Sequence, residues 1–462
     1  MVLIKSISGF RGTIGGLPNT NLTPLDVVRF TSAYAQWVKL NVNNRATIIT
    51  GRDARISGLM IHSLVNNTLL AMGINVIDLG LSTTPTVAIS VPMEKCHGGI
   101  IITASHNPNQ WNALKLLNQD GEFVDKEAGE KILNFAQAEK FHYADENNLG
   151  LININSGYFD KHIEAILALK IINKSRIKKT KFKVVVDGVN STGGIIIPKL
   201  LEALNVEVIK IHCNPNGKFP HNPEPLKENL GDLCNAVIEN RADFGIAVDP
   251  DVDRLVFVDE KGELFGEEYT LVACADFILS KKTGSTVSNL SSTRALADLT
   301  YKFGGSHTAS AIGEVNVINE MKRVRAIIGG EGNGGVIYPE LHYGRDALVG
   351  IALFLSLLVE RKQSVNEIRS TYPSYFMSKN KIILEAGMNI DKVLKKIAIK
   401  YKNNKVSVLD GVKIDFSDQW VHLRKSNTEP IVRIYTEAKT EVAAKNLAER
   451  FIVEIREFFS HI

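Results

Sequence analysis

The chain has 462 residues, 44% of them hydrophobic, and its 54 Lys and Arg residues against 50 Asp and Glu residues leave a net charge of +4. This length is too great for a single core and predicts three or four domains of about 100 to 150 residues. The small net charge, with lysines scattered or in short runs such as KSRIKKT, argues against a nucleic-acid partner but suits a small anionic substrate.

The cysteines and the apolar segments bear on the compartment. Cys96, Cys213, Cys234 and Cys274 lie far apart without a CxxC pair, which indicates reduced thiols rather than a disulfide framework or a zinc site. The first residues, MVLIKSISGFRG, contain only a short apolar run, and no segment approaches the ~20 apolar residues of a membrane span. We therefore expect a cytoplasmic protein with no membrane partner.

Three segments repeat one pattern: an apolar β-branched strand, a polar turn and a helix-like run. They are ATIITGRDARISG (46–58), FKVVVDGVNSTGG (182–194) and TVSNLSSTRALAD (286–298). Each is followed by a further strand, INVIDLG, VEVIKIHC or SHTASAIG, and then by a strand that ends in an unusual loop: GGIIITASHNP, ADFGIAVDPDVDR or RAIIGGEGNGG. These recurrences predict three α/β domains with mixed sheets, over residues 1–150, 151–254 and 255–368.

Residues 369–462 break the pattern. SYFMSKNKIILE, VSVLDGVKIDF and DQWVHLRKSNTEPIVRIYTEA are extended and alternating, and TEVAAKNLAERFIVEIREFF is an amphipathic helix. This composition predicts a small C-terminal α+β domain. Because ligands of α/β domains bind beyond the carboxyl ends of strands, we expect the loops of the three repeats to meet at one cleft.

The DPDVDR loop places Asp249, Asp251 and Asp253 on alternate residues after an apolar strand. In an extended chain alternate side chains share a face, so the three carboxylates would repel unless a cation lies among them, and such hard oxygen ligands suit Mg²⁺. The spacing to Glu260 also fits an EF-hand loop, but Arg254 stands where that loop needs glycine, and strands flank the segment. A solvated acidic turn is the remaining alternative.

Two further loops have the chemistry of anion and sugar contacts. RKSNTEPIVR gathers guanidinium groups, hydroxyls and an amide, which suit a phosphate dianion, although a hairpin turn with incidental charge also fits; its candidate residues are Arg424, Ser426, Asn427, Thr428 and Arg433. GGEGNGG carries Glu331 and Asn333 among glycines, as expected of a loop that approaches sugar hydroxyls or of a merely flexible one. Arg11, in GFRG, could also reach an anion.

The TASHNP segment places Ser105 in a polar turn after the strand GGIII. Ser, Asn and Pro make ordinary turns, the segment lacks a G-x-S-x-G elbow, and on a strand His106 would point away from the serine. Beside a carboxylate loop and a phosphate clamp, the functional interpretation is a phosphorylated serine that a metal bridges to the three aspartates. Lys115 is either a surface lysine or, if desolvation lowers its pKa, a general acid or base toward a sugar hydroxyl.

The motifs GFRG, TASHNP, DPDVDR, GEGNGG and RKSNTEP, in this order and over essentially the whole chain, resemble those of the α-D-phosphohexomutases, the phosphoglucomutase/phosphomannomutase superfamily. The resemblance implies four domains around a central cleft. It also implies the following site: Ser105 as phosphoserine and, with Asp249, Asp251 and Asp253, as Mg²⁺ ligand; Glu331 and Asn333 as sugar contacts; and the loop from Arg424 to Thr428 as the clamp of the non-transferring phosphate. We add Arg11, His106 and Lys115 as catalytic candidates and Arg254 and Arg433 as substrate-binding candidates.

The implied reaction passes a phosphoryl group from the serine to a hexose phosphate and returns the other phosphate of the bisphosphorylated sugar, with a sugar 1,6-bisphosphate as activator, in a monomer or homodimer. Many relatives read G-E-x-S-G-H where this chain has Asn333 and Gly335 in place of the serine and histidine, and His342 is a possible substitute for that histidine. The C-terminal loop has Asn427 where glycine is common.

NQWNALKL and FPHNPEPLKENL look most like the archaeal-type phosphoglucosamine mutase branch, which predicts glucosamine phosphate as substrate. A phosphomannomutase/phosphoglucomutase of dual specificity is the alternative. A non-catalytic sugar-phosphate sensor would be marked by a lost serine or carboxylate, and a phosphatase by release of phosphate to water.

Overall fold

The computed structural model describes residues 3–6, 9–385, 389–426 and 431–460. The chain forms two compact units, which are described separately. The first takes in residues 1–277 and 333–369, and the second takes in residues 278–332 and 370–462.

The first α/β domain lies in the first unit. Its elements are β1 (Leu3–Ser6), β2 (Gly9–Thr13), α1 (Pro24–Leu40), β3 (Thr47–Arg52), α2 (Gly58–Ala71), β4 (Asn75–Leu81), α3 (Thr84–Met93), β5 (Gly99–Ile102), β6 (Trp111–Leu117), α4 (Lys126–Ala138) and β7 (Ile152–Ile154). The sheet order is β1-β2-β6-β5-β3-β4-β7, with β3 parallel to β4 and β5, and β6 antiparallel to β2 and β5. Apolar side chains of α1, α2 and α4 pack on this sheet, where Phe10 stacks on Phe30.

The second α/β domain has a smaller sheet. Its elements are α5 (Tyr158–Ala168), α6 (Lys174–Thr180), β8 (Lys183–Asp187), α7 (Gly193–Ala203), β9 (Glu207–Ile211), a 3₁₀ turn (Lys227–Asn229), α8 (Gly231–Glu239), β10 (Phe244–Val248), β11 (Leu255–Val258) and α9 (Glu267–Lys281). The order is β11-β10-β8-β9, in which β10 pairs parallel with β8 and antiparallel with β11. The β-branched run VVV of β8 is buried on both faces, as expected of a central strand.

The third repeat begins in the second unit with β12 (Ser285–Asn289), α10 (Ala295–Lys302), β13 (Ser306–Ser310), α11 (Glu314–Val324) and β14 (Ile328–Glu331). Strand β12 pairs parallel with β13 and with β14. The chain then enters the first unit with β15 (Gly335–Ile337), α12 (Ala347–Arg361) and α13 (Val365–Ser370). Helix α12 is buried along nearly its whole length and is capped by Asp346, whose Oδ1 accepts from the backbone N–H of Leu348 at 2.8 Å.

The C-terminal domain closes the second unit. It consists of β16 (Phe376–Ile383), α14 (Ile390–Lys400), β17 (Lys405–Ser407), β18 (Val412–Asp415), β19 (Trp420–Lys425), β20 (Ile431–Ala438) and α15 (Glu441–Ser460). The strands form an antiparallel sheet in the order β16-β20-β19-β18-β17, and α14 and α15 pack on its apolar face. No helix among the described residues is both long and apolar enough to cross a membrane.

The predicted fold class is confirmed, with two differences in the C-terminal domain. VSVLDGVKIDF is not one extended segment, because the chain turns at Asp410 and Gly411, where Gly411 has a φ of +74°, and this turn separates β17 from β18. Helix α14 was absent from the sequence interpretation. Its apolar residues Ile390, Val393, Leu394 and Ile397 have helical spacing and are buried in the domain core.

Two histidines, the buried His422 and the half-buried His307, predict how the stability of the second unit depends on pH. Burial lowers the pKa of His307 to about 3 and the pKa of His422 to about 4, from 6.5. Below pH 6.5 the unfolded chain therefore takes up protons that the folded unit does not, so stability that is present above this pH is lost as the pH falls toward 4.

We expect each histidine to lower the free energy of unfolding by up to about 1.4 kcal/mol per pH unit in this window. Urea unfolding between pH 7 and pH 5 measures the slope. His422→Gln is expected to flatten it, whereas substitution of the exposed His142 by Gln leaves it unchanged. Equal slopes for the two variants would contradict this assignment.

Candidate active site

Ser105 lies in the loop that follows β5, at the carboxyl end of a central strand. It is 3% exposed, and its backbone has a φ of +50°, a left-handed conformation that is costly for a residue other than glycine. The backbone N–H of Ser105 donates to Thr103 Oγ1 at 2.9 Å, and its Oγ donates to Asp249 Oδ2 at 2.5 Å. The structure thus joins the serine loop of the first domain to the acidic loop of the second.

The expectation that His106 points away from the serine is wrong. This part of the loop is a turn rather than a strand, and Nδ1 of His106 lies 3.4 Å from Ser105 Oγ. Burial, reinforced by the charges of Arg254 and Arg11, holds the pKa of His106 well below its usual 6.5. The ring is therefore neutral beside the serine at physiological pH.

Arg55, which the sequence interpretation missed, holds the serine loop in place. Its side chain is fully buried and donates at 2.5 to 3.0 Å to three backbone carbonyls of that loop, those of Ser105, Asn107 and Pro108, and to the carbonyl of Trp111 at the start of β6. Asp53 balances the charge by accepting from Arg55 Nε at 3.0 Å. A guanidinium that binds three loop carbonyls and the first carbonyl of the next strand at once favours a single loop conformation.

The acidic loop follows β10 and is a turn, so the extended geometry expected for alternate carboxylates is wrong. The turn closes on Asp249, whose Oδ1 accepts from the backbone N–H of Asp253 and of Arg254 at 3.1 Å each, and Val252 has a φ of +64°. The predicted convergence nevertheless occurs: carboxylate oxygens of Asp249, Asp251 and Asp253 all lie within 4.8 Å of one another. Strands β10 and β11 flank the loop, unlike the helices of an EF-hand.

The donor set of this loop fits a divalent cation. All three aspartates are fully buried, and Oδ1 of Asp251 and Oδ1 of Asp253 have no hydrogen-bond partner among the residues that the structure describes. Burial and the two neighbouring carboxylates raise the pKa of Asp249 well above its ordinary range. A hard cation would offset this repulsion and use the two unpaired oxygens, as Mg²⁺ does with carboxylate ligands.

Lys115, on β6, forms ion pairs with the acidic loop. Its Nζ donates to Asp251 Oδ2 at 2.6 Å and lies 3.4 Å from Asp253 Oδ2. Burial works to lower the pKa of Lys115, as the sequence interpretation supposed, but the charges of Asp251 and Asp253 outweigh it, and the pKa is raised. Lys115 is thus a buried residue and not a surface lysine. Its raised pKa keeps it in the ammonium form.

Besides Arg55, three arginines of the first unit lie close to His106 of the serine loop. Arg11 donates to Asn107 Oδ1 at 2.8 Å, and Arg254 donates to Glu224 at 2.9 Å. Arg345, which the sequence interpretation missed, donates from Nη2 to Asp253 Oδ2 at 2.8 Å.

His342 and Asn333, two residues of the predicted sugar loop region, make other contacts in the first unit. Nε2 of His342 lies 3.2 Å from Asp346 Oδ2, which also lies 2.9 Å from His162 Nε2. Asn333 Oδ1 accepts from the backbone N–H of Gly335 at 3.2 Å.

Within the second unit, Glu331 stands at the carboxyl end of β14. Its side chain is 5% exposed, and its Oε1 accepts from Asn289 Nδ2 at 2.9 Å and from the backbone N–H of Gly313 at 3.3 Å. The preceding backbone N–H, that of Ile312, donates to Asp410 Oδ2 at 3.1 Å. One short segment before α11 thus contacts both the predicted sugar-binding carboxylate and the C-terminal domain.

The phosphate loop candidates lie at the end of the β19–β20 hairpin. Arg424 and Arg433 are directly opposite each other in the strand register, and Lys381 of β16 is opposite Arg433, so three cations form a row on one face. Like charges in such positions are unfavourable without a counter-ion. Asp410 accepts from Arg424 Nε at 2.9 Å, and Ser426 N–H closes the hairpin on the Ile431 carbonyl. The remaining candidates, Asn427 and Thr428, lie outside the described residues.

Arg424→Met is expected to raise KM for a sugar phosphate about 10- to 100-fold with little change in kcat, since a group that holds a non-reacting phosphate binds ground and transition states alike. Steady-state kinetics measure the split. The matched control is Arg323→Met, an exposed arginine of the same unit that pairs with Glu320. A loss confined to kcat would contradict the clamp role.

Comparison with known protein families shows which family the chain belongs to. Phosphoglucomutase/phosphomannomutase profiles match it in order: alpha/beta/alpha domain I at 5–143, domain II at 160–262, domain III at 266–375 and the C-terminal domain at 379–453. The chain belongs to the phosphoglucomutase/phosphomannomutase family. It is therefore an isomerase, a phosphosugar mutase of carbohydrate metabolism, which confirms the predicted family and enzyme class.

Individual relatives align with nearly the whole length of the chain. The chain is 34% identical to a phosphoglucomutase/phosphomannomutase of Thermococcus kodakarensis, over 95% of this chain and 96% of that one. It is 32% identical to a phosphoglucosamine/phosphogalactosamine mutase of Sulfurisphaera tokodaii, over 94% and 96%. A putative phosphomannomutase from Thermus thermophilus has a similar fold, with a TM-score of 0.83 and 25% identity over 98% of this chain and 99% of that structure.

Proposed function

We propose that this mutase interconverts hexose 1-phosphate and 6-phosphate through a phosphorylated Ser105 and a bisphosphorylated sugar. One observation carries the proposal: Ser105 Oγ lies 2.5 Å from Asp249 within a fully buried cluster of three carboxylates. A serine in a strained turn beside such a cluster suits phosphoryl transfer, in which catalysis is mostly positioning and charge stabilisation.

We assign metal binding to the acidic loop. Asp249, Asp251 and Asp253 would hold Mg²⁺ together with the Ser105 side chain. When bound, the ion would neutralise charge on the transferring phosphoryl group. Arg11, linked to the serine loop through Asn107, supplies a second positive charge beside it.

Each of the two phosphoryl transfers, from Ser105 to the sugar and from the sugar back to Ser105, requires a proton to move. Transfer to a sugar hydroxyl requires that hydroxyl to lose a proton and Ser105 Oγ to gain one, and the return transfer reverses both steps. His106, with Nδ1 3.4 Å from Oγ, and Lys115, held as an ammonium ion by Asp251, are our candidates for exchanging this proton. Arg254 is assigned to the substrate phosphate.

The second unit supplies groups suited to the non-reacting parts of the substrate. We assign Glu331 to sugar hydroxyls, with Asn333 of the first unit, because a carboxylate held in place by hydrogen bonds is an acceptor suited to a diol. Arg424 and Arg433 are assigned to the non-transferring phosphate, since their juxtaposition favours an anion between them.

We propose glucosamine phosphate as the preferred substrate, because the Sulfurisphaera relative is named for amino-sugar phosphates. The Thermococcus relative, named as a phosphoglucomutase/phosphomannomutase, makes a dual-specificity enzyme the second candidate. The expected setting is the cytoplasm, with a sugar 1,6-bisphosphate as activator.

Initial rates of 1-phosphate to 6-phosphate conversion test this proposal. Glucosamine, glucose and mannose phosphates are compared with Mg²⁺ and the matching 1,6-bisphosphate, and inorganic phosphate is measured in parallel. A preference for glucosamine phosphate without phosphate release supports the proposal, and faster conversion of glucose and mannose phosphates favours the dual-specificity enzyme. Phosphate release equal to substrate consumption would show a phosphatase instead.

A further inference from the structure

The side chain of Arg345 runs through the space where a side chain at position 335 would begin. An ideal Cβ placed on Gly335 would lie 2.4 Å from Arg345 Cδ and 3.1 Å from Arg345 Cγ. Non-bonded carbon atoms do not approach to 2.4 Å, so the arginine side chain would have to shift. Because Cδ and Cγ are atoms of its stem, such a shift would move the guanidinium with them. Gly335 is not in the left-handed region, so the crowding, and not its backbone conformation, requires glycine here.

The guanidinium at the end of this stem binds one carboxylate oxygen of the candidate metal ligand Asp253. Arg345 Nη2 donates to Asp253 Oδ2 at 2.8 Å, with 11% of the arginine side chain and none of the aspartate side chain exposed. The other oxygen of Asp253, Oδ1, is buried and has no hydrogen-bond partner in the described part of the chain. Fixing Oδ2 therefore leaves Oδ1 as the ligand atom, in the way that outer hydrogen bonds orient metal-binding carboxylates.

The start of Arg345 is fixed as firmly as its end. The next residue, Asp346, caps α12 through Oδ1, and its Oδ2 contacts His162 Nε2 at 2.9 Å and His342 Nε2 at 3.2 Å. This cluster anchors the backbone from which the arginine departs. Both the anchor and the path over Gly335 direct the same side chain onto Asp253.

We infer that Arg345 is a positioning residue for the metal ligand Asp253, and that Gly335 is required because it leaves room for the arginine stem. The inference rests on the proposed function, in which the acidic loop binds Mg²⁺. It assigns Arg345 no contact with substrate. Since Arg345 acts through Asp253, its loss weakens Mg²⁺ binding itself, and kcat falls as a consequence.

Mg²⁺ titration by calorimetry of the full chain, with all proteins in one phosphorylation state, tests the inference. Arg345→Met and Gly335→Ala are each expected to weaken Mg²⁺ binding about 10- to 100-fold. The double variant is expected to bind no more weakly than the weaker single variant, because both changes remove one interaction. Arg345→Lys, which keeps the charge but not the forked geometry, is expected to fall between wild type and Arg345→Met.

Two controls separate the possible failures. Gly231→Ala adds a Cβ that meets nothing within 4 Å and is expected to bind Mg²⁺ like the wild type. Asp253→Asn is expected to bind more weakly than any arginine variant. If wild type and Asp253→Asn bind alike, the metal assignment of the proposed function fails, and the inference falls with it. Suppose that Asp253→Asn loses Mg²⁺ binding while Gly335→Ala and one of the two arginine variants, Arg345→Met or Arg345→Lys, fold and bind Mg²⁺ normally. In that case only the inference is overturned.

Discussion

Ser105→Ala is expected to lower kcat by about ten-thousand-fold or more, because removing a covalent nucleophile eliminates the path through it and leaves only the contributions of binding and charge. The alanine removes one oxygen and its hydrogen bond to Asp249, so the loop held by Arg55 is expected to keep its position. Substrate binding should therefore survive the change.

Rates of sugar phosphate isomerisation measure this loss of kcat. Inhibition of the wild type by an unreactive sugar phosphate gives the reference value for substrate binding by Ser105→Ala. Ser63→Ala, at an exposed position of α2 in the same unit, is the matched control and is expected to keep full activity. Full mutase activity in Ser105→Ala would refute the proposed mechanism. Loss of activity together with loss of folding, seen by circular dichroism, would instead contradict the claim that the loop is held independently of the hydroxyl.

Asp251→Asn is expected to lower kcat about a thousand-fold, since a bound metal contributes several kcal/mol of charge stabilisation to such a transfer. The amide matches the carboxylate in size but removes one charge from the cluster. It also weakens the contacts that Asp251 Oδ2 makes with Lys115 Nζ at 2.6 Å and with Thr84 Oγ1 at 2.5 Å. Two functions of one side chain are therefore lost together.

Activity as a function of Mg²⁺ concentration separates these effects. If the metal contact dominates, raising the Mg²⁺ concentration restores part of the rate of Asp251→Asn. Asp120→Asn, at an exposed position, serves as the control and should match the wild type. Near wild-type kcat in Asp251→Asn at low Mg²⁺ would contradict the assignment of this loop to the metal.

The strands and their terminal loops could be predicted because local sequence determines them. β-branched runs such as FKVVVD and FGIAV formed central strands. Ser105 and Asp249 lie in the loops that follow β5 and β10, and Glu331 is the last residue of β14. The position of functional loops at the carboxyl ends of strands is a general property of α/β sheets, so the candidate residues could be named without a structure.

The details of the loops could not be predicted from spacing alone. The alternation of the aspartates suggested an extended chain, but the backbone N–H groups of Asp253 and Arg254 close a turn on Asp249. Likewise, the left-handed conformation of Ser105 brings His106 toward the serine. Such geometry depends on contacts between residues far apart in sequence, which no local pattern records.

Arg55 and Arg345 were missed for the same reason. Each lies within two residues of an aspartate in an otherwise ordinary segment, GRDAR for Arg55 and YGRDAL for Arg345. The partner of Arg55 at Ser105 lies 50 residues away, and the partner of Arg345 at Asp253 lies 92 residues away. A faint signal existed for the second: the sugar loop has glycine at 335 where many relatives have histidine, and the structure shows the stem of Arg345 in that space.

Transfer of a labelled phosphoryl group would identify the nucleophile itself. The protein is incubated with Mg²⁺ and a sugar 1,6-bisphosphate labelled with ³²P, digested, and its labelled peptide is sequenced; a parallel sample is chased with unlabelled hexose 1-phosphate. We predict one labelled residue, Ser105, whose label passes to sugar at least as fast as the enzyme turns over. Label on another residue, or label that leaves Ser105 only as inorganic phosphate, would contradict the phosphoserine mechanism.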